Sequence, residues 1–316
     1  MSRRYKKLMK PKLIIHIGHG KTGTSFIQSV LSLNIENLRN NGVIYPDHPS
    51  FMSARNGNIS SGNGDLIMNR LFEIDSNIST LLSNESLFHY LAVDNNLARL
   101  VLSRDCNLEI ICYTRNVVEM ICSTWGQMIK RGGYTKSIEE YITENRDPHY
   151  PRILWWLNAA ENFEFKIKIR NYSNHKSNID EIFLYDVFDG TSVNFLINKP
   201  KNVVINRSLT LAEYEIQRVC NEFSSKSSSF ISDVLVNSLP LIKAEKPFIS
   251  MDTYDFLVDR MSLIIERINN RIPRDESILI EPMDTTILNT SKELYTLSKE
   301  QIAVLFKSIL NQIPRR

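Results

Sequence analysis

Cysteine is scarce in this chain, and long apolar runs are missing. Four of the 316 residues are cysteines and six are histidines. They form no C-x-x-C pair and no zinc-ligand spacing, which excludes a zinc finger and a dense disulfide framework; we expect buried, reduced thiols. No run of 18 apolar residues and no signal-peptide core is present, so we expect a cytoplasmic protein without a membrane span.

The chain also has little excess charge of either sign. Its formal net charge is +3, with 23% charged and 42% hydrophobic residues, which is ordinary for a globular protein and favours no nucleic-acid partner. Basic residues gather near the start of the sequence, at Arg3, Arg4, Lys6, Lys7, Lys10 and Lys12. We expect residues 1–11 to form a flexible, solvated tail, with peripheral contact to an anionic membrane or glycan surface as the alternative.

Apolar runs of strand type alternate with segments of helical period along much of the chain. We predict strands at 13–18, 43–45, 79–83, 108–113 and 165–169, and helices at 26–39, 87–103, 117–130, 150–162 and 178–189. This alternation predicts an α/β fold with a central parallel sheet flanked by helices. From about residue 209 to residue 316 the pattern is helical, near 210–224, 252–271 and 291–310. We expect a single domain, 1–316, with this helical C-terminal part packed on it.

The segment from Lys12 to Gln28 predicts a buried strand, a glycine-containing loop and the first turn of a helix. Glycines let backbone N–H groups approach an anion, and a helix N-terminus adds free N–H groups and partial positive charge. Lys21 supplies a full charge, and hydroxyl donors follow at Thr22, Thr24 and Ser25. Because Lys21 precedes Gly23, the loop is not a standard Walker A. We predict a phosphate-binding loop, with a plain strand–turn–helix junction as the alternative.

A second segment places an arginine at the end of a predicted strand. The apolar run Leu108–Tyr113 is followed by Thr114 and Arg115, and a helix-period stretch begins at Val117. Open α/β sheets bind ligands at the carboxyl ends of their strands, where a guanidinium can fork onto phosphate. Ser123 lies eight positions after Arg115, about two helical turns further on. The alternatives are a surface ion pair for Arg115 and an ordinary helix serine for Ser123.

The order Lys21-Thr22-Gly23-Thr24-Ser25, followed by Arg115 and Ser123, resembles bacterial sulfotransferases that use 3′-phosphoadenosine 5′-phosphosulfate (PAPS). The resemblance covers roughly residues 13–223 and implies a three-layer, P-loop NTPase-like fold. It further implies that the amides of Thr22 to Ser25 hold the 5′-phosphate, that Lys21 lies at the bridging oxygen, and that Arg115 and Ser123 hold the 3′-phosphate. Phe26 occupies the place of an adenine-stacking tryptophan in the related cytosolic family; a core role is the alternative.

The catalytic base is predicted at Glu85. It follows the strand-like run Thr80-Leu81-Leu82 and is placed like the glutamate base of glycan sulfotransferases, in Asn84-Glu85-Ser86. A carboxylate accepts a hydroxyl proton near neutral pH when burial raises its pKa. Capping of the following helix is the alternative role, and His16 and His19 are rival bases. Arg170 and Arg207 are candidates for secondary anion contacts.

The predicted function is transfer of a sulfuryl group from PAPS, without a metal, to a hydroxyl or amine of a glycan, glycolipid or small molecule. Two alternatives differ in class. A P-loop small-molecule kinase requires ATP, Mg²⁺ and a carboxylate to hold the ion, and no clear strand ends in such an aspartate. A non-catalytic relative would bind a nucleotide or anionic glycan without turnover. The role of the turn-rich loop 56–64 is open between an acceptor-side lid and a mobile insertion.

Overall fold

The computed structural model of the chain describes residues 12–58, 60–68, 78–93, 95–102, 106–144, 149–201, 207–223, 228–247, 249–281 and 296–312. The predicted tail, residues 1–11, lies outside these ranges. The strands are β1 Lys12–Gly18, β2 Val43–Ile44, β3 Ser79–Ser83, β4 Asn107–Thr114 and β5 Lys166–Asn171. They form one sheet in the order β2-β3-β1-β4-β5, and every neighbouring pair is parallel. The predicted α/β fold with a central parallel sheet and flanking helices is confirmed.

The central position of β1 follows from its composition. Six of its seven residues are buried, as expected for a parallel strand covered on both faces. Ile15 lies in register with Leu82 of β3 on one side and with Ile110 of β4 on the other. The chain therefore crosses from one side of β1 to the other between β3 and β4. Such a switch in strand order marks the usual ligand-binding edge of an open parallel sheet.

Most predicted helices are found, and several short ones were not predicted. The helices are α1 Thr24–Leu33, α2 Ile35–Asn40, α3 Phe51–Arg55, α4 Asp65–Met68, α5 Leu87–Tyr90, α6 Asn96–Leu102, α7 Val117–Gly132, α8 Ile138–Glu144, α9 His149–Asn162, α10 Tyr172–His175, α11 Ile179–Val187, α12 Leu211–Phe223, α13 Ser228–Ser238, α14 Met251–Asn269 and α15 Lys299–Gln312. A 3-10 turn covers Arg274–Glu276. The predictions near 210–224 and 252–271 correspond to α12 and α14. The helix predicted near 291–310 begins only at Lys299, and residues 291–295 lie outside the described ranges.

Two helices predicted as continuous are interrupted. The prediction 26–39 is wrong at Asn34, whose side-chain amide donates to the carbonyls of Val30 and Asn198 and so competes with helical hydrogen bonds. The prediction 87–103 is wrong between α5 and α6, where Asn95 takes a left-handed φ of 56°. Asparagine tolerates that conformation better than most residues.

A core cluster of buried residues packs the first helices against the sheet. Ile14, Leu81 and Ile111 come from the strands, Ile27 and Leu31 from α1, and all are buried. The sheet residues alternate with neighbours that face the opposite side, and the α1 residues follow the four-residue spacing of one helix face. This packing fixes where α1 begins, directly after the carboxyl end of β1.

The chain forms two compact units. The first comprises the described residues within Met1–Arg115, Pro148–Ile205 and Glu266–Ile278 and contains the whole sheet; the second comprises those within Asn116–Asp147, Asn206–Ile265 and Leu279–Arg316 and is helical. That residues 1–316 behave as one domain stays a prediction. Within the described ranges, no helix combines the length and the apolar character that crossing a bilayer requires.

Candidate functional site

The loop between β1 and α1 folds tightly on itself. Lys21 and Gly23 both have left-handed φ values, 76° and 78°, and the Thr22 hydroxyl donates to the carbonyl of His19 at 2.8 Å. A Cβ at Gly23 would lie 2.8 Å from Ile179 Cδ1 and 2.9 Å from a Tyr172 ring carbon. Glycine is therefore required at this position both by its φ and by the space. Because the Thr22 hydroxyl already donates within the loop, the predicted contact of Thr22 with a ligand is made by its backbone N–H.

The N-terminus of α1 has the properties of an anion site. No side chain of the described residues caps it, and the first N–H groups of a helix have no partner within the helix. Thr24 is 5% exposed, and its hydroxyl oxygen has no hydrogen-bond partner within the described residues. A buried hydroxyl without a partner is costly unless a ligand satisfies it. Together these groups provide donors and partial positive charge at the predicted position of the 5′-phosphate.

Ser25 and Phe26 continue the first turn of α1. Both are partly exposed. The Ser25 carbonyl accepts from the Ser29 hydroxyl, and Phe26 packs against the core cluster around Ile27. The core alternative for Phe26 therefore has contacts to support it, while adenine stacking stays a prediction.

Glu85 lies next to the loop. Its Oε2 is 3.6 Å from the point that a Cβ on Gly20 would occupy. Partial burial raises the pKa of the Glu85 carboxyl above its usual range, while the positive charge of Lys21 works in the opposite direction. Glu85 is nevertheless exposed enough for a second molecule to reach it. The structure thus brings together Lys21 and Glu85, which are 64 positions apart in the sequence.

Arg115 supports the same loop from the other side of β1. It follows the last residue of β4, and its Nη1 donates to the Lys21 carbonyl at 3.1 Å. Its guanidinium carbon lies 5.2 Å from the centre of the Tyr172 ring, and its own carbonyl accepts from the Tyr150 hydroxyl. Ser123, the other predicted 3′-phosphate contact, lies in α7 of the second unit and is partly exposed.

The two rival bases are enclosed. His16 and His19 are 0% and 1% exposed, and burial lowers the pKa of each to about 3. His16 Nδ1 shares a hydrogen bond with the Ser83 hydroxyl, and His19 Nδ1 donates to the Gly20 carbonyl. Both imidazoles are therefore neutral near pH 7 and closed to solvent, which favours Glu85 as the group that meets an acceptor.

The two secondary candidates, Arg170 and Arg207, already have acidic partners. Arg170 binds Asp186 and Glu276, and Arg207 binds Glu213. A guanidinium whose charge is matched in this way has little attraction left for a further anion. We therefore give neither residue a role at the loop.

Sequence reasoning missed Tyr172 and left the role of the loop 56–64 open. Tyr172 packs on Gly23 and faces Arg115; the available signal was its place directly after a parallel strand. Asn63 is fully buried and its backbone N–H donates to the Ser83 carbonyl. Residues 60–64 are therefore anchored by hydrogen bonds at the end of β3. No local pattern announces such an anchor.

The chain matches no known protein-family model, and it has no significant match among curated proteins. The case for a function therefore rests on the residues and on their geometry.

Proposed function

We propose that this protein is a PAPS-dependent sulfotransferase with a P-loop-like, three-layer α/β fold. The observation that carries the proposal is the position of Lys21 and Glu85 beside one helix N-terminus that no described side chain caps. In a sulfuryl donor, the phosphate anion can bind such a helix terminus, and the leaving oxygen can lie beside a lysine. The electrophilic sulfur then faces an acceptor that a base holds in place. The acceptor we propose is a hydroxyl, or an amine, of a glycan or glycolipid.

In this reaction the acceptor oxygen attacks the sulfur, and the bond between sulfur and the bridging phosphate oxygen breaks. The electron pair of that bond stays on the 5′-phosphate, where the growing charge is stabilised by Lys21 and by the amides of Thr22 to Ser25. The acceptor proton passes to a Glu85 carboxylate oxygen. The raised pKa of Glu85 makes this carboxylate a stronger base than an ordinary surface glutamate.

Glu85→Gln is expected to lower sulfuryl transfer by about 10²–10⁴-fold, because general-base assistance is lost. Affinity for the donor product, 3′,5′-adenosine bisphosphate, is expected to change less than about threefold, because the amide keeps the shape of the carboxyl. Single-turnover transfer from labelled PAPS to a panel of sugars and glycolipids measures the first, and calorimetry the second. Glu36→Gln, an exposed glutamate of α2, is the control. Transfer by Glu85→Gln at the wild-type rate would refute the base assignment.

The donor itself is tested by metal-free calorimetry with 3′,5′-adenosine bisphosphate beside ADP. If the 3′-phosphate is recognised, ADP is expected to bind about 10–100-fold more weakly than 3′,5′-adenosine bisphosphate, which is a loss of about 1.4–2.8 kcal/mol in binding free energy. Arg115→Ala and Ser123→Ala are each expected to reduce this preference, because each removes a predicted 3′-phosphate contact. Equal binding of both nucleotides, or binding of ATP only with Mg²⁺, would favour a kinase instead.

A further inference from the structure

Residues 60–64, termed here the clamp segment, pack backbone to backbone on the end of β3. The Asn63 side chain donates to the carbonyls of Pro46 and Leu81 and accepts from the N–H of Ser83 at 2.7 Å. The Asn63 backbone N–H donates in return to the Ser83 carbonyl at 3.1 Å. A fully buried asparagine with this many bonds fixes the two segments relative to each other.

The two glycines of the clamp segment make the contact close. A Cβ on Gly62 would lie 1.9 Å from the Ser83 carbonyl oxygen, and one on Gly64 would lie 2.3 Å from Asn84 Cβ. The atoms met there are a backbone oxygen of Ser83 and the Cβ of Asn84, which cannot move aside as the end of a long side chain could. Any side chain at these glycines must therefore displace the residues that lead directly to Glu85.

Asn84 transmits this contact to Glu85. Asn84 is 2% exposed, its N–H donates to the His16 carbonyl of β1 at 3.1 Å, and its side-chain oxygen accepts from the N–H of Ser86 at 2.6 Å. Asn84 is thus held between β1 and Gly64. Its Asx-type turn sets the direction in which the chain leaves the strand, and the residue inside that turn is Glu85.

The clamp segment is also tied down at its own start. The N–H of Gly62 donates to the Ser60 hydroxyl at 3.0 Å. That hydroxyl shares a further hydrogen bond with Ser50 at 3.0 Å. These bonds restrain the segment upstream as well as at β3, so it can act as a rigid support for its neighbours.

We propose that the clamp segment positions Glu85 against the Gly20–Lys21 loop, with Gly64 as the positioning residue. The catalytic role of this positioning rests on the proposed function, because Glu85 acts as a base only in that reaction. In the described structure Lys21 faces Glu85 from the loop, and the nearby His19 is neutral. Occupation of the loop by an anion would offset the Lys21 charge and make ionisation of Glu85 harder.

The test follows the Glu85 carboxyl in ¹³C-Glu-labelled protein by NMR titration, with Glu85→Gln to assign its signal. In the wild type we expect a pKa above the ordinary 4.5, and a further rise when 3′,5′-adenosine bisphosphate is added. In Gly64→Ala we expect a pKa near the ordinary value and no rise on addition, while the dissociation constant of the ligand changes less than about threefold. Gly64 has no left-handed φ, so alanine acts there only through the contact with Asn84.

Gly132→Ala is the matched control, since a Cβ there meets only the flexible Met128 side chain, at 3.1 Å. It is expected to leave the Glu85 titration unchanged. If circular dichroism shows that Gly64→Ala does not fold, Asn63→Ala takes its place with the same expected result, because it removes three side-chain hydrogen bonds.

A Glu85 titration in the variant equal to that of the wild type would overturn the proposed role of the clamp segment. Failure of the wild type to bind the nucleotide would overturn the proposed function, while the ligand-free titrations would still decide the clamp.

Discussion

Lys21→Ala is expected to abolish sulfuryl transfer, with a loss of at least about 10³-fold. Removal of one group that stabilises developing negative charge costs about 10²–10³-fold in comparable enzymes. A full charge beside the N-terminus of α1 adds to the partial positive charge of the helix and strongly stabilises the leaving phosphate. The Lys21 backbone carbonyl, which accepts from Arg115, is kept in the variant. The loop should therefore retain its shape and lose only the charge.

The measurement is single-turnover transfer from labelled PAPS, with nucleotide affinity determined in parallel. Lys21→Met, which keeps the length of the side chain without its charge, is expected to be as inactive as the alanine variant. Lys176→Ala, an exposed lysine of the same unit, removes the same net charge elsewhere and should transfer at the wild-type rate. If Lys21→Ala transfers within about threefold of the wild type, Lys21 does not act on the leaving group.

Arg207→Ala is expected to lower the free energy of unfolding by about 3–5 kcal/mol, because it leaves a buried carboxylate without its partner. The Arg207 and Glu213 side chains are 3% and 0% exposed, and the guanidinium binds both carboxylate oxygens at 2.7 and 2.8 Å. Glu213 also accepts from the N–H of Thr210 and from Gln301 of α15. Loss of the arginine therefore disturbs a network that joins three chain segments of the second unit.

The pH dependence gives this prediction a second readout. Burial works to raise the pKa of Glu213, but the hydrogen bonds from Arg207 and Thr210 outweigh it and hold the pKa below the ordinary 4.5. The stability that the pair contributes is thus present above about pH 4.5 and is lost as pH falls through the lower, folded-state value. In Arg207→Ala the pKa of Glu213 is set only by its burial and by its remaining hydrogen bonds. The free energy of unfolding should therefore depend less on pH between pH 7 and pH 4.

Urea unfolding at pH 7 and pH 4 measures both effects. Arg131→Ala is the matched control, because Arg131 also binds a carboxylate through two nitrogens, that of Asp233, but with both side chains more than a third exposed, at 34% and 39%. Exposed pairs contribute about 0–1 kcal/mol. If Arg207→Ala costs no more than Arg131→Ala, the buried network does not stabilise the second unit.

Local patterns in the sequence were enough to place the elements that carry the candidate site. The apolar runs of β1, β3 and β4 predict covered parallel strands, and the carboxyl ends of such strands meet at one edge of a sheet. For that reason the loop at Lys21, Glu85 and Arg115 could be assigned to one edge from their places after strands. The helix after the loop was predicted likewise from its helical period, although α1 begins at Thr24, two residues before the predicted start at residue 26.

Only the tertiary structure decided which groups face the loop and which are closed off. The enclosure of the loop residue His19, the packing of the Tyr172 ring on Gly23, the hydrogen bonds from Asn63 to Ser83 and the pairing of Arg207 with Glu213 leave no periodic pattern in the sequence. Periodicity records whether a residue faces the interior, since helices and strands repeat at fixed spacing. It does not record which residue the side chain contacts in the interior, because that residue comes from a distant part of the chain and is brought there by tertiary packing.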